Sequence, residues 1–449
     1  MSKLFTISLR MAMVVVLAAV AGVAASTGSR AVSEKMKAKP GMSAQMKPGP
    51  HMPAQGGGHP AMGHGMGGMG MMAPKGPAFE PATVCKQCHE EIYRDWSQSM
   101  HAHAREAWYF SHKVGSERMG MTCNNEHNVA VPCQTCHEPA GVYPLGAVMQ
   151  GKPAAVAATE GVSCDVCHRI TAVKGTGDFT FGPKDTKRGP YKDAKSPYHK
   201  TAYAPLIAKS DFCVACHGQL QNLNRLTVCA TVQTWRESRY AREGKTCQSC
   251  HMPGVTGAAA TGKQAPADAP KNRALRRHLF RGPHNDPALL REAATLKQTV
   301  AKSADGGLEI RVTVTNSGTG HDLPSGLPDR LITLKVEAKD GAGKLVWQNW
   351  RDDPYREDRQ AAFGLFGFNP KGGPVPPMGA SRLDRLNLLP DETRALTYRL
   401  PPDVARKAVR VEAHLTYFTA RRENAEYFGT WGLAGMQPKP MAEVVTAVR

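Results

Sequence analysis

One pattern occurs five times in this 449-residue chain: Cys85-Lys-Gln-Cys88-His89, Cys133-Gln-Thr-Cys136-His137, Cys164-Asp-Val-Cys167-His168, Cys213-Val-Ala-Cys216-His217 and Cys247-Gln-Ser-Cys250-His251. Two thiols at this spacing can form thioethers to the two vinyl groups on one edge of a porphyrin, and the adjacent imidazole can then bind its iron. Cys-x-x-Cys-His is the attachment pattern of c-type haem. A structural zinc site needs four ligands and gives no reason for His to follow the second Cys each time. A thioredoxin-like pair sits near a βαβ pattern, and none is visible. Five matches within residues 85–251 predict five covalently attached haems c, with the ten cysteines as anchors and His89, His137, His168, His217 and His251 as iron ligands.

Two of the 12 cysteines remain, Cys123 and Cys229. Unpaired thiols are a liability in an oxidising compartment, so a disulfide between them is expected. Cys123-Asn-Asn-Glu-His127 lacks a second Cys and is not a sixth attachment site. The formal charge of +19 would ordinarily point to nucleic acid or an anionic surface. Five haems bring roughly ten propionates, so much of the Lys/Arg excess can be neutralised by the cofactor itself. No nucleic-acid motif is present, and a residual basic face suits an acidic redox partner.

The elements that must position these groups follow from the rest of the chain. Residues 1–25 read as a signal peptide, with Lys3 and Arg10 near an apolar run from Met11 to Ala25 that ends in small residues. The run is short of the roughly 20 residues of a spanning helix, so no membrane anchor is expected after cleavage, and the mature chain is expected in the periplasm or at the cell surface. Residues 26–78 form a Met/Gly/Pro/His-rich linker expected to be disordered. Its thioethers and imidazoles suit weak copper binding.

Residues 79–290 hold all five motifs and predict a mainly α-helical and loop multihaem domain with few strands. The first cysteines are spaced 48, 31, 49 and 34 residues apart, which suggests a duplicated two-haem unit with one haem in front. Trp96-Ser-Gln-Ser99-Met-His101 echoes Trp235-Arg-Glu-Ser238-Arg-Tyr240, with Tyr in place of His. From 291 to 449 the pattern changes. Leu308–Thr315, Leu331–Glu337, Leu345–Trp350, Ala395–Leu400 and Val409–Tyr417 read as strands, predicting an antiparallel, Ig-like β-sandwich.

A second imidazole opposite the motif histidine suits electron transfer, whereas an open position suits substrate chemistry. Downstream of the linker, His101, His103, His112, His127, His199, His278, His284, His321 and His414 lie outside the motifs. His101 is the first candidate. In a helix running on from the first motif it would sit about 18 Å from His89, so it must serve a neighbouring haem. His199, His278, His284 and His321 follow, with His321 reaching across from the β domain, and His127 is weaker. His112 and His414 read as structural or exposed.

These residues resemble the exported multihaem c-type cytochromes of the tetrahaem cytochrome c family. The likeness rests on Cys85–His89 followed by Tyr93, Trp96, Ser99 and His101; on Glu160-Gly-Val-Ser-Cys164 to His168; on Tyr198-His199; on Phe212-Cys213 to His217; and on Cys247 to Pro253. Gly320-His321-Asp-Leu-Pro-Ser-Gly326 is similar to the β domain that often follows such haem domains. The resemblance implies electron transfer, with His101, His199 and His278 as distal ligands. Here there are five motifs rather than four, and Tyr240 stands where the repeat would offer His. The expected role is passage of electrons from a membrane or periplasmic donor to a terminal reductase or extracellular acceptor, each a redox protein or surface. The alternatives are a reductase acting on a small nitrogen or sulfur compound at an open iron, and a subunit of a surface cytochrome array.

Overall fold

Each Cys-x-x-Cys-His run forms or abuts a single helical turn, because Cys, Cys and His at i, i+3 and i+4 then share one face. The computed structural model describes residues 79–106, 123–142, 160–326, 328–427, 432 and 434–448. The helices used below are α1 (Ala82–Lys86), α2 (Glu90–Ser97), α3 (Cys133–His137), α4 (Cys164–Cys167), α5 (Ser210–His217), α6 (Thr231–Glu237), α7 (Cys247–His251) and α8 (Pro287–Glu292). In α7, Thr246 and Ser249 close a reciprocal capping box, which satisfies backbone donors that so short a helix would leave orphaned.

The expectation of a mainly α-helical domain with few strands needs correction. No helix among the described residues exceeds eight residues between Phe79 and His284, and short strands are interleaved with them. These are β1 (Cys123–Asn125), β2 (Ala130–Val131), β3 (Ile170–Gly175), β4 (Asp178–Phe181), β5 (Thr186–Gly189), β6 (Lys200–Tyr203), β7 (Leu220–Gln221), β8 (Thr227–Cys229), β9 (Gly254–Gly257) and β10 (Arg273–Arg276). Each attachment site consumes one turn of helix, and the chain must then leave it for the next. Hairpins do this compactly, as β3–β4 and β9–β10 show.

The Cys123–Cys229 disulfide is also corrected. Cys229 is a free thiol. The strand order β2-β1-β7-β8 puts β7 between the strands carrying the two cysteines. Two strand spacings, about 9–10 Å, exceed the roughly 7 Å Cα separation that a disulfide can bridge.

The motif helices pack against one another. α1 meets α4, α3 meets α5, α5 meets α7, and β3 lies on α5. In space the motifs thus run first, third, fourth, with the second and fifth each beside the fourth. Sequence spacing pairs the second motif with the third and the fourth with the fifth; the helices of the fourth and fifth do meet, whereas the second motif helix meets the fourth and the first meets the third.

From Thr295 onward the chain is antiparallel sheet: β11 (Thr295–Lys302), β12 (Leu308–Thr315), β13 (Leu331–Lys339), β14 (Leu345–Gln348), β15 (Ala362–Phe368), β16 (Pro374–Val375), β17 (Arg382–Arg385), β18 (Thr393–Leu400), β19 (Arg410–Phe418) and β20 (Lys439–Ala447). One sheet is β11-β12-β18. The other follows β16-β15-β13-β19-β20, with β14 on β13 and β17 on β15. Ile310, Val312 and Val314 of β12 share a core with Leu334 and Val336 of β13 and with Val411, Ala413 and Leu415 of β19. This alternation is the expected signature of sheets with one buried face. No helix among the described residues is long and apolar enough to cross a membrane.

Candidate functional site

All ten motif cysteines line one continuous cavity of about 2210 Å³, together with His89, His137, His168, His217 and His251. Five further candidates, His101, His199, His278, His284 and His321, line it too. A drug-sized ligand occupies roughly 300–1,000 Å³, so one small molecule does not account for this space.

Three pairs of imidazoles face each other inside it. His168 and His278 have ring centroids 6.3 Å apart with planes at 24°. His251 and His321 are 6.4 Å apart at 12°, and His101 and His217 are 6.0 Å apart at 66°. Two metal–nitrogen bonds of about 2 Å, plus a ring radius of about 1 Å on each side, place trans imidazole centroids roughly 6 Å apart. The gaps fit one iron each, and direct contact between the rings would be closer.

Hydrogen bonding prepares the same atoms. Nδ1 of His89 meets the Ala259 carbonyl at 2.7 Å, that of His137 meets Ala104 at 3.0 Å, that of His168 meets Arg188 at 2.6 Å and that of His251 meets Arg281 at 2.5 Å. On the opposite side, Nδ1 of His278 meets Arg276 O at 2.9 Å, that of His321 meets Asp322 O at 2.9 Å and that of His199 meets Lys200 O at 3.0 Å. A carbonyl only accepts, so Nδ1 carries the hydrogen and Nε2 keeps its lone pair for a metal. The His101–His217 pair differs: neither ring makes such a carbonyl bond among the described residues, and Nδ1 of His101 is buried with no partner among them. Burial pushes three of these imidazoles well down, His101 to about 3, and His217 and His278 to about 4. All three are therefore neutral at pH 7, as metal ligation requires.

Local structure explains how the opposing rings are delivered. α2 ends at Ser97, so His101 sits in the turn after it, not in a helix continuing from the first motif. Trp96 fixes this turn by donating from Nε1 to Val162 O at 2.9 Å, and Ser99 donates to Trp96 O at 2.7 Å. The sequence echo is structural, since Trp235 Nε1 donates to Lys245 O at 3.1 Å and Ser238 to Trp235 O at 2.7 Å. In the second copy Tyr240 donates to Ser317 O at 3.0 Å and packs on Gly320, where a Cβ would sit 3.2 Å from the Tyr240 Cβ and 3.3 Å from its ring carbon Cγ. The loop held there carries His321, so the β domain brings an imidazole to a site beside the Tyr240 turn.

Other candidates lie elsewhere. His284 lines the cavity, but among the described residues it has no ring contact with a motif histidine. His127 is exposed on the β1–β2 turn beside Gly175, and His103 is exposed and bonds to Ser97 O at 3.1 Å. His414 lies on β19 near Glu412. His112, the signal segment and the Met/His-rich linker lie outside the described residues.

Two features escaped sequence reading. Asp95 grips Arg277 and so fixes the segment of His278. Phe280 sets its ring edge-on to His101 at 4.2 Å and to His278 at 5.9 Å. It does so from φ +45°, a costly conformation for a bulky residue that points to a positional demand. No motif marks either residue.

The family description "Cytochrome c554 and c-prime" matches residues 84–169, which hold the first three motifs. Among solved structures, a penta-heme cytochrome c552 from Thermochromatium tepidum matches with a TM-score of 0.64 and 23% identity, over 83% of this chain and 100% of that one. No curated protein matches the chain. The chain has the fold of a multihaem c-type cytochrome, with a C-terminal region of antiparallel strands, and its five motifs and cavity fit haem c.

Proposed function

We propose that this chain is an exported electron-transfer cytochrome carrying five covalently attached haems c. It passes single electrons between a membrane or periplasmic donor and a terminal reductase or extracellular acceptor. The observation that carries the reading is the set of three facing imidazole pairs in one cavity. Bound haem supplies an iron that takes up and releases one electron.

The chain's own residues do the rest. With haem bound, His168 and His278, His251 and His321, and His101 and His217 would be the residues that hold its iron, and His199 lines the same cavity. The backbone carbonyls of Ala259, Ala104, Arg188 and Arg281 fix the tautomer and orientation of four motif rings. Imidazoles held in place by these backbone carbonyls would limit rearrangement when the charge of a bound iron changes. Packing of α1 on α4, and of α5 on both α3 and α7, keeps successive sites close. The fourth site is then the junction from which the second and fifth branch. The β region acts as an Ig-like sandwich domain that supplies His321, and the cationic cavity wall neutralises propionates.

The test is stepwise reduction of the holoprotein by a one-electron donor, followed optically. Uptake of five electrons, with fast equilibration among the sites, is expected. Turnover of nitrite, hydroxylamine or sulfite by the reduced protein at enzymatic rates would instead favour a reductase.

A further inference from the structure

Where the β region closes the cavity, its wall carries buried donors without well-aligned partners among the described residues. Arg330, just before β13, donates from Nη1 to Ser325 O at 2.5 Å. Among the described residues its Nε is buried with no partner, and the hydroxyl of Tyr417 on β19 has only the Thr419 side chain nearby, with no well-aligned hydrogen bond. Tyr417 is only 2% exposed. Both side chains line the cavity, and so does His284 from the loop before α8. His284 is pushed down to about 4 by burial and then by the positive charges of Arg330 and Lys439. Arg330 also lies near enough to His217 to depress that imidazole.

The nearby acids are engaged elsewhere. Asp329 is held by Arg421 and Asn424, and Asp322 accepts from Thr234 and Ser325. Among the described residues no carboxylate forms a salt bridge with Arg330. Buried polar atoms without partners are rare and each costs about 1–3 kcal/mol. A guanidinium, a phenol and an imidazole on one cavity wall, with Arg330 close enough to act electrostatically on the other two and no acid paired with it, form a donor set for an anion, for which Arg offers a planar fork.

We propose that Arg330, Tyr417 and His284 form an anion-binding site in the cavity wall beside the fourth motif, taking a carboxylate or a small oxyanion. Two sources share this chemistry: a propionate of a haem attached to this chain, or a free oxyanion from solution. Arg330 and Tyr417 Oη donate to the anion, and His284 donates through whichever ring nitrogen carries its hydrogen. Lys439, whose Nζ donates to Gly435 O at 3.0 Å, adds positive charge at longer range.

The experiment uses oxidised holoprotein in three forms: wild type, Arg330→Gln and Tyr417→Phe. Each is titrated calorimetrically with nitrite and with sulfite, and the haem midpoints are measured from pH 5 to 8. If the source is free, the wild type binds one oxyanion saturably. Both variants then weaken binding, Arg330→Gln by roughly tenfold or more, as loss of a charge-assisted hydrogen bond requires. If the source is a propionate, the wild type binds neither oxyanion, and both variants shift the midpoint of the same haem and its pH dependence. Tyr417→Phe removes only a hydroxyl without a well-aligned partner and is expected to fold. The proposal is overturned if the wild type binds neither anion and Tyr417→Phe leaves every midpoint and its pH dependence unchanged.

Discussion

Asp95 and Arg277 are 182 residues apart in sequence, yet Arg277 donates from Nε and Nη2 to the two Asp95 oxygens at 2.6 Å each. The same carboxylate accepts the backbone N–H of His278 at 3.2 Å. A buried acid on α2, just after the first motif, therefore holds in place the imidazole that faces the third.

Asp95→Asn is expected to cost about 2 kcal/mol, below the range for a fully buried pair because Arg277 is 42% exposed. Burial pushes the Asp95 carboxyl up, but the Arg277 bonds outweigh it and the carboxyl is held below its ordinary value. Its contribution is present above the unfolded value of about 4 and is lost as pH falls through the folded value. Thermal unfolding from pH 3 to 7 checks this: the gap between wild type and variant is expected to narrow in acid.

His321→Ala removes the imidazole 6.4 Å from His251 and leaves Cys247 and Cys250 in place. The haem mass is expected to be unchanged while one low-spin centre becomes high-spin. Electron paramagnetic resonance with mass spectrometry reads both. An unchanged spectrum would remove the β region from the ligand set.

Phe280→Ala frees two rings at once, while the left-handed backbone stays strained because Ala keeps a Cβ. A loss of about 1–2 kcal/mol is expected, less than for a fully buried Phe. The specific readout is a change in the g-values of two low-spin centres, those of His101 and His278, with the others unmoved.

Cys229 tests the corrected disulfide. Burial pushes its thiol up, so it is expected to resist alkylation in the native protein and to react once unfolded without reductant. Mass analysis of the peptide carrying it gives the answer.

The five motifs are legible in the sequence because they are local: Cys, Cys and His at fixed spacing on one turn. Strands such as Leu308–Thr315 were legible because one face is buried and the residues alternate. β15 was not, since all seven of its residues are buried and Ala-Phe-Gly-Leu-Phe-Gly-Phe carries no period of two. The partner of each motif histidine was the least legible. His101 faces His217 across 116 positions, and no local pattern encodes that distance. Tyr240 in the sequence echo warned that one imidazole was missing there, but only the loop packed on Tyr240 shows where His321 comes from.

The most direct measurement is haem content by intact mass together with the electron paramagnetic resonance spectrum of the oxidised holoprotein. The account expects five haem adducts and low-spin signals that include the centres of the third, fourth and fifth motifs. Fewer than five adducts, or high-spin iron at any of those three sites, would contradict it.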